Sequence, residues 1–231
     1  MTTVGRSGGA AQAELEQAGG IGAPAAPVAA TGMGDEVLPA AANGPRSYGW
    51  WGMVWLIATE ATLFGMLIAS WFYIRAQTSP NWPPDGIHPP ELALPLVMTA
   101  ILWSSSIPVH LAERGIRRGS QRALRIGLVA GFILGATFLA MQFSIEWPKT
   151  LQEFTPRTNA FGSMFFTITG FHAGHVVMGL FLNLWTQMRS WQGAFDEHRH
   201  VTVENFTMYW HFVDAVWGLV LLSLYIAPNL R

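Results

Sequence analysis

Five long apolar runs, separated by short polar segments, are the feature that most restricts the folds open to this chain of 231 residues. The hydrocarbon core of a bilayer is roughly 30 Å thick, and about 20 helical residues cross it. Lipid offers no hydrogen-bond partner to backbone groups, so each run must be helical. The sequence predicts an all-α, polytopic transmembrane bundle with five transmembrane helices, at residues 51–74, 92–112, 126–143, 160–188 and 205–227.

The composition agrees with a membrane protein. Charged residues make up 12% of the chain, which is about half the share in an ordinary soluble domain. The formal net charge is −1, and the basic residues are scattered or confined to short loops, so we expect no nucleic-acid partner. Because cysteine is absent, any metal would need histidine and carboxylate ligands.

Residues 1–47 differ in composition from the rest of the chain. They are rich in Ala, Gly and Pro, and Pro24 and Pro27 interrupt the one apolar stretch. This pattern predicts a disordered tail without the apolar core of a signal peptide, preceding a five-helix domain at 48–231.

Arginines set the expected orientation in the membrane. The short loop after the second run carries Arg114, Arg117, Arg118, Arg122 and Arg125. Cytoplasmic loops are enriched in Lys and Arg, so this loop is predicted to be cytoplasmic. The N-terminal tail is then cytoplasmic and the C-terminus lies outside.

Ionisable side chains lie inside the predicted spans, where they are costly and therefore candidates for function. Glu60 falls near the bilayer middle, with Thr59 and Thr62 as possible donors. His172 and His175 are three residues apart, on one helix face, in a glycine-rich segment suited to close helix packing.

On the last run, Glu204, His211 and Asp214 recur at intervals of seven and three residues and share a face. If this face meets that of His172 and His175, the imidazoles and carboxylates satisfy one another inside the bundle. We therefore predict a polar network, with a structural or proton-related role, formed by Glu60, His172, His175, Glu204, His211 and Asp214.

A metal site built from these residues is the competing hypothesis. Carboxylate-bridged di-iron bundles use Glu-x-x-His pairs on two helices, and the acids and histidines here do not follow that spacing. We expect no catalytic residue and no metal site in this chain. His200 is predicted to lie in a solvated turn, and Gln142 and Glu146 to anchor the outward membrane interface.

Several motifs in the stretch from Gly52 to Arg231 resemble subunit III of the haem-copper cytochrome c oxidases, in the family's order and spacing. They are the helix Trp55–Gly65 around Glu60, the segment Gln142–Trp147, the segment Thr169–Val176 with His172 and His175, and the series His200, Glu204 and Tyr209–Trp217. Larger members of that family have seven helices, whereas this chain matches only the last five.

The resemblance implies a non-catalytic integral subunit of an aerobic respiratory cytochrome c oxidase in a bacterial plasma membrane. Such a subunit binds no cofactor of its own, since haem and copper reside in partner subunits where electrons pass from cytochrome c to O2. It packs against the catalytic subunit I and other oxidase subunits, binds phospholipid, and supports assembly, proton uptake and durability.

Related alternatives are the equivalent subunit of a quinol oxidase and an accessory protein of nitric oxide reductase. Phe171 and the pair Tyr209-Trp210 favour the cytochrome c branch. A hypothesis of another class is a stand-alone proton-coupled transporter with Glu60 and Asp214 as carriers, which predicts substrate flux by the purified chain in liposomes.

Overall fold

The computed structural model describes residues 47–78, 82–84, 86–88 and 91–230. Five helical spans in this part of the chain are long and apolar enough to cross a membrane, which confirms the predicted all-α transmembrane fold. Residues 1–46 of the predicted tail lie outside the described residues. The α-helices are α1 (Tyr48–Thr78), α2 (Ala93–Ile116), α3 (Gln121–Met141), α4 (Trp147–Glu153), α5 (Ala160–Trp191) and α6 (Val201–Val220).

Two of the spans contain π-helical turns. The π-helical segment Gln142–Glu146 joins α3 to α4, so the third span continues to Glu153. The π-helical segment Leu221–Ile226 and a 3-10 turn at Ala227–Asn229 prolong α6.

Most helices extend beyond the predicted bounds. The third span begins at Gln121 rather than 126, because the Ser120 side chain accepts a hydrogen bond from the Ala123 amide and caps the helix. The fourth span ends at Trp191 rather than 188, and the fifth begins at Val201 rather than 205. Apolar runs mark the lipid-facing length, whereas helices continue through polar turns at their ends.

Glycines allow α2 and α3 to pack closely. A Cβ atom at Gly127 would lie 2.4 Å from the Pro108 carbonyl oxygen, and one at Gly131 would lie 2.6 Å from the Val109 side chain. The connection between the helices is short, and Gly119 takes the left-handed conformation (φ +75°) that glycine tolerates best. These two spans therefore form a rigid antiparallel pair.

The last helix, α6, is the centre of the bundle and packs on α1, α2 and α5. Its tryptophans are buried and donate hydrogen bonds to hydroxyl groups of α2. Trp210 Nε1 lies 2.9 Å from Ser105 Oγ, and Trp217 Nε1 lies 2.8 Å from Thr99 Oγ1. The indoles thus fill the core while their N–H groups are satisfied inside the helix bundle.

By contrast, α1 is peripheral. Its only buried residues are Phe64 and Trp71, and Trp71 Nε1 donates to the Ser223 carbonyl at 3.1 Å. The helix packs on α5 and α6 and leaves most of its surface exposed. A lipid or a partner protein must cover that surface in a membrane.

Candidate functional site

The six predicted network residues fall into separate groups. Glu60 pairs with His175, Asp214 and His211 each bond to Ser106, and Glu204 pairs with Arg117. His172 has no hydrogen-bond partner within the described residues. Positions three apart on a helix differ by about 60° in direction, which is enough to give His172 and His175 different neighbours. The structure does not join the six side chains into one network, and His175 and Glu60 are the imidazole and carboxylate among them that contact each other across two helices.

The Glu60–His175 pair joins α1 to α5. His175 Nε2 lies 3.1 Å from Glu60 Oε2, and His175 Nδ1 lies 2.8 Å from the Phe171 carbonyl oxygen. A carbonyl oxygen only accepts, so Nδ1 carries a proton. The contact between Nε2 and the carboxylate then needs a second proton, which makes Glu60 and His175 a pair that shares one proton.

Further contacts hold this pair in place. The Tyr209 hydroxyl of α6 donates to the His175 carbonyl at 3.2 Å, and the Phe64 ring meets the imidazole edge-on with centroids 4.9 Å apart. Thr59 and Thr62 donate instead to carbonyls of their own helix, at Leu56 and Ala58. Their expected role as donors to Glu60 was wrong, because a hydroxyl in a helix reaches the preceding turn most easily.

A large apolar groove opens beside the pair, between α1 and α5. Its volume is about 750 Å³, and Glu60, His175 and Tyr209 line it together with apolar side chains and glycines. A Cβ at Gly174 would meet no atom within 4 Å, so this glycine keeps the groove open. The glycine-rich segment around His172 and His175 was predicted to pack closely against another helix. Among its glycines this occurs at Gly179, where a Cβ would lie 2.7 Å from the Trp210 ring.

The second cluster joins α6 to α2 through Ser106. The Ser106 hydroxyl donates to Asp214 Oδ2, and Ser106 Oγ lies 3.0 Å from His211 Nδ1. Because the Ser106 hydrogen goes to the carboxylate, the Ser106 oxygen accepts the Nδ1 hydrogen of His211. Trp103 Nε1 donates to the Asp214 backbone carbonyl at 3.2 Å.

Ser106 was not predicted from the sequence. The available signal was the run of three serines at 104–106 inside an apolar helix. Only the tertiary structure shows that Ser105 and Ser106 contact α6, and that Ser106 is the one beside Asp214 and His211.

His172 is fully buried, and within the described residues neither of its ring nitrogens has a hydrogen-bond partner. Its ring lies against Trp217 with centroids 4.9 Å apart, and Phe138 meets it at 5.9 Å. This histidine therefore serves as an aromatic core residue rather than as part of a polar network.

A third cluster lies where the α2–α3 and α5–α6 connections meet. Arg117 Nη2 is 2.7 Å from Glu113 Oε1 and 2.8 Å from Glu204 Oε1, and His200 Nε2 is 3.2 Å from the same Glu204 oxygen. The hydrogen bonds that Arg117 donates to the Glu113 carboxylate, with the charge of Glu204, raise the pKa of Arg117 above its ordinary value. His200 is half-buried in this cluster, so its prediction as a solvated turn residue was wrong.

Gln142 and Glu146 are buried rather than anchored at the interface. The π-helical turn places both side chains inside the bundle, where the Glu146 carboxyl lies beside Tyr225 without a well-formed hydrogen bond. Neither side-chain polar atom of Gln142 has a partner in the described part of the chain. The apolar pattern alone does not reveal a π turn, which is why the snorkelling prediction failed.

Within residues 47–78, 82–84, 86–88 and 91–230, no three histidine or carboxylate side chains form a group that could hold a metal ion.

Comparison with known proteins places these features in one family. The family model described as "Cytochrome c oxidase subunit III" matches residues 45–228. A cytochrome c oxidase subunit 3 of Synechocystis sp. is 36% identical over 181 residues, covering 75% of this chain and 73% of the relative.

Other relatives carry the same name. The protein of Thermostichus vulcanus is 33% identical over 176 residues, covering 76% of this chain and 85% of its own length. The protein of Locusta migratoria is 33% identical over 182 residues, covering 76% of this chain and 67% of the relative. The chain belongs to the cytochrome c oxidase subunit III family.

Proposed function

We propose that this chain is a non-catalytic integral subunit of an aerobic respiratory cytochrome c oxidase in a bacterial plasma membrane. Family membership over residues 45–228 carries the proposal and makes the chain part of a complex with other oxidase subunits. Haem and copper reside in those partners, and the chain packs against the catalytic subunit I. Its part is to support assembly, lipid binding, proton uptake and durability during turnover.

The groove between α1 and α5 supports a role in lipid binding. It is lined almost entirely by apolar groups and opens at the surface of two membrane-spanning helices. An acyl chain fits such a groove, and its volume falls in the range of ordinary ligand sites, about 300–1,000 Å³. We assign this groove to a phospholipid acyl chain.

The proton-related role rests on the Glu60–His175 pair. The two side chains lie 3.1 Å apart, near the middle of two helices that are long and apolar enough to span a membrane, and they border the groove. Ionisable groups in such positions commonly take part in proton movement. Asp214 and His211, linked through Ser106, are the second candidate for this role, whereas Glu204 and His200 stabilise the loop end of the bundle.

The orientation follows from the basic loop. Arg117 and its neighbouring arginines lie at the end of the bundle that carries the α2–α3 connection. The positive-inside rule then makes that end cytoplasmic, with the N-terminus on the same side and the C-terminus outside.

Removing the chain from its oxidase tests the proposal. The depleted complex should still reduce oxygen, because the redox centres remain in other subunits, but it should take up protons more slowly and lose activity sooner during turnover. Re-adding the chain should restore both properties. Identical proton uptake and endurance with and without the chain would refute the supporting role.

A further inference from the structure

The central helix α6 has a single narrow exposed stripe. Along Val201–Val220, only His211, Ala215 and Leu219 are strongly exposed, at intervals of four residues. All other residues of this helix are buried or half-buried. Residues four apart follow one another along the same helix face, so the three form one continuous line.

The stripe lies between α1 and α2. On one side, Phe212 meets Phe64 of α1 with ring centroids 6.5 Å apart. On the other side, Asp214 contacts Ser106 and Trp103 of α2. Helices α1 and α2 both pack on α6 but make at most marginal contact with each other, so the ring of helices around α6 is open at this position.

An unsatisfied acceptor lies in that opening. His211 Nδ1 donates to Ser106, which leaves the lone pair of Nε2 as an acceptor. Within the described residues Nε2 has no hydrogen-bond partner. His211 is ten residues into α6, or about 15 Å from its start. His110 of α2 lies beside it, with ring centroids 6.2 Å apart, which is too far for a direct hydrogen bond.

We propose that a transmembrane helix of another oxidase subunit occupies the opening between α1 and α2, packs on His211, Ala215 and Leu219, and donates an N–H or O–H to His211 Nε2. Acyl chains carry no donor, whereas a Ser, Thr, Asn, Tyr or Trp side chain on a helix does. Ala215 is small enough for close approach of a second helix, and Leu219 supplies apolar contact. The inference deepens the proposed function by naming the face that the partner covers, and it rests on that function.

The absence of cysteine in the chain allows a direct test with single-cysteine variants. Ala215→Cys places a thiol in the centre of the stripe. Ile133→Cys is the matched control, since Ile133 is exposed on α3 and takes no part in any cluster described above. Each variant is assembled into the complete oxidase and treated in native membranes with an apolar maleimide that dissolves in lipid.

We expect loss of labelling at A215C in the intact complex, normal labelling at I133C, and labelling of both after denaturation in SDS. Equal labelling of A215C and I133C in the intact complex would overturn the proposal, since a lipid-filled opening admits the reagent. An oxidative cross-link between two copies of A215C would also overturn it, because the occupant would then be a second copy of this chain.

The predicted hydrogen bond has its own test. His211→Leu removes the acceptor while keeping the helix apolar, and His211→Gln restores an acceptor oxygen. We expect H211L to open A215C to the maleimide and H211Q to restore protection, with unchanged helix content by circular dichroism. Protection that survives in H211L contradicts the hydrogen bond.

One control separates this inference from the proposed function. If the tagged chain brings down no oxidase subunit, the proposed function fails. If it brings down the oxidase but A215C is freely labelled, only the assignment of this face fails.

Discussion

His175 Nε2 lies 3.1 Å from Glu60 Oε2, and this contact is one polar tie between peripheral α1 and the rest of the bundle. Hydrogen bonds from Trp71 to the Ser223 carbonyl and from Asn205 to the Gly49 carbonyl are two others. Apart from these bonds, α1 is held by two buried aromatic side chains, Phe64 and Trp71, and by peripheral packing. The pair therefore joins α1 to α5, the two helices on either side of the apolar groove. It stabilises the wall of the apolar groove.

Replacing Glu60 should loosen α1. Glu60→Leu removes the partner of His175 Nε2, and because the pair is half-buried the cost should lie at the lower end of the range of about 1–3 kcal/mol for a buried hydrogen bond. Glu60→Gln keeps a donor for Nε2 and should cost much less. Thermal unfolding of the purified complex in mild detergent measures the difference, and equal melting temperatures for the two variants would contradict the pairing.

The hydroxyl of Ser106 should matter more than that of its neighbour Ser104. Ser106→Ala removes the donor to a nearly buried carboxylate, at an expected cost of about 1–3 kcal/mol. Ser104→Ala is the control, because the Ser104 hydroxyl bonds only to the Ile101 carbonyl of its own helix. The yield of assembled complex is measured for both variants and should be lower for Ser106→Ala. An equal yield would show that the Asp214 cluster is not needed for assembly.

Close packing of α2 and α3 predicts a strong effect of a single methyl group. Gly127→Ala places a Cβ against the Pro108 carbonyl, and overpacking of this kind costs about 1–3 kcal/mol. Gly65→Ala, at a position with no atom within 4 Å, should be neutral or slightly stabilising because alanine favours helices. Comparable unfolding temperatures for G127A and G65A would contradict the packing.

The α5–α6 connection should loosen in acid. The backbone amides of His198 and Arg199 donate to Asp196 and, with the Arg199 side chain, lower the pKa of its carboxyl. Because the pKa of Asp196 is lower in the folded chain than in the unfolded one, its carboxylate stabilises the folded state at pH values above the unfolded pKa, near 3.8. That stabilisation is lost as the pH falls through the pKa of Asp196 in the folded chain.

Hydrogen exchange of these two amides, measured across that acid range, tests the titration. In the wild-type chain, the protection of these amides should decrease as the pH is lowered. In the Asp196→Asn variant, the same amides should show no such transition. A transition of equal size in D196N would assign the effect to another group.

The number and type of membrane spans followed from the sequence, because an apolar run of about 20 residues in lipid has one stable backbone conformation. Helix ends were less predictable. Ser120 caps α3 six residues before its apolar run begins, and a cap depends on local hydrogen bonding rather than hydropathy.

The sequence marked out candidate residues for the site but not their pairing. Glu60, His175, His211 and Asp214 stood out because ionisable groups are expensive in lipid. Their partners depend on the rotation of each helix about its axis, which one sequence specifies only weakly. Ser106 shows the limit, since an uncharged hydroxyl in an apolar helix most often bonds to its own backbone.

The most direct test of the central claim is the purification of the native complex through a tag on this chain, followed by separation of its subunits and measurement of haem and copper in each. We expect the chain to bring down a haem- and copper-containing membrane polypeptide, and after separation to retain neither cofactor itself. Purification without such a partner, or stoichiometric haem or metal bound at His172, His175 or His211, would contradict the account.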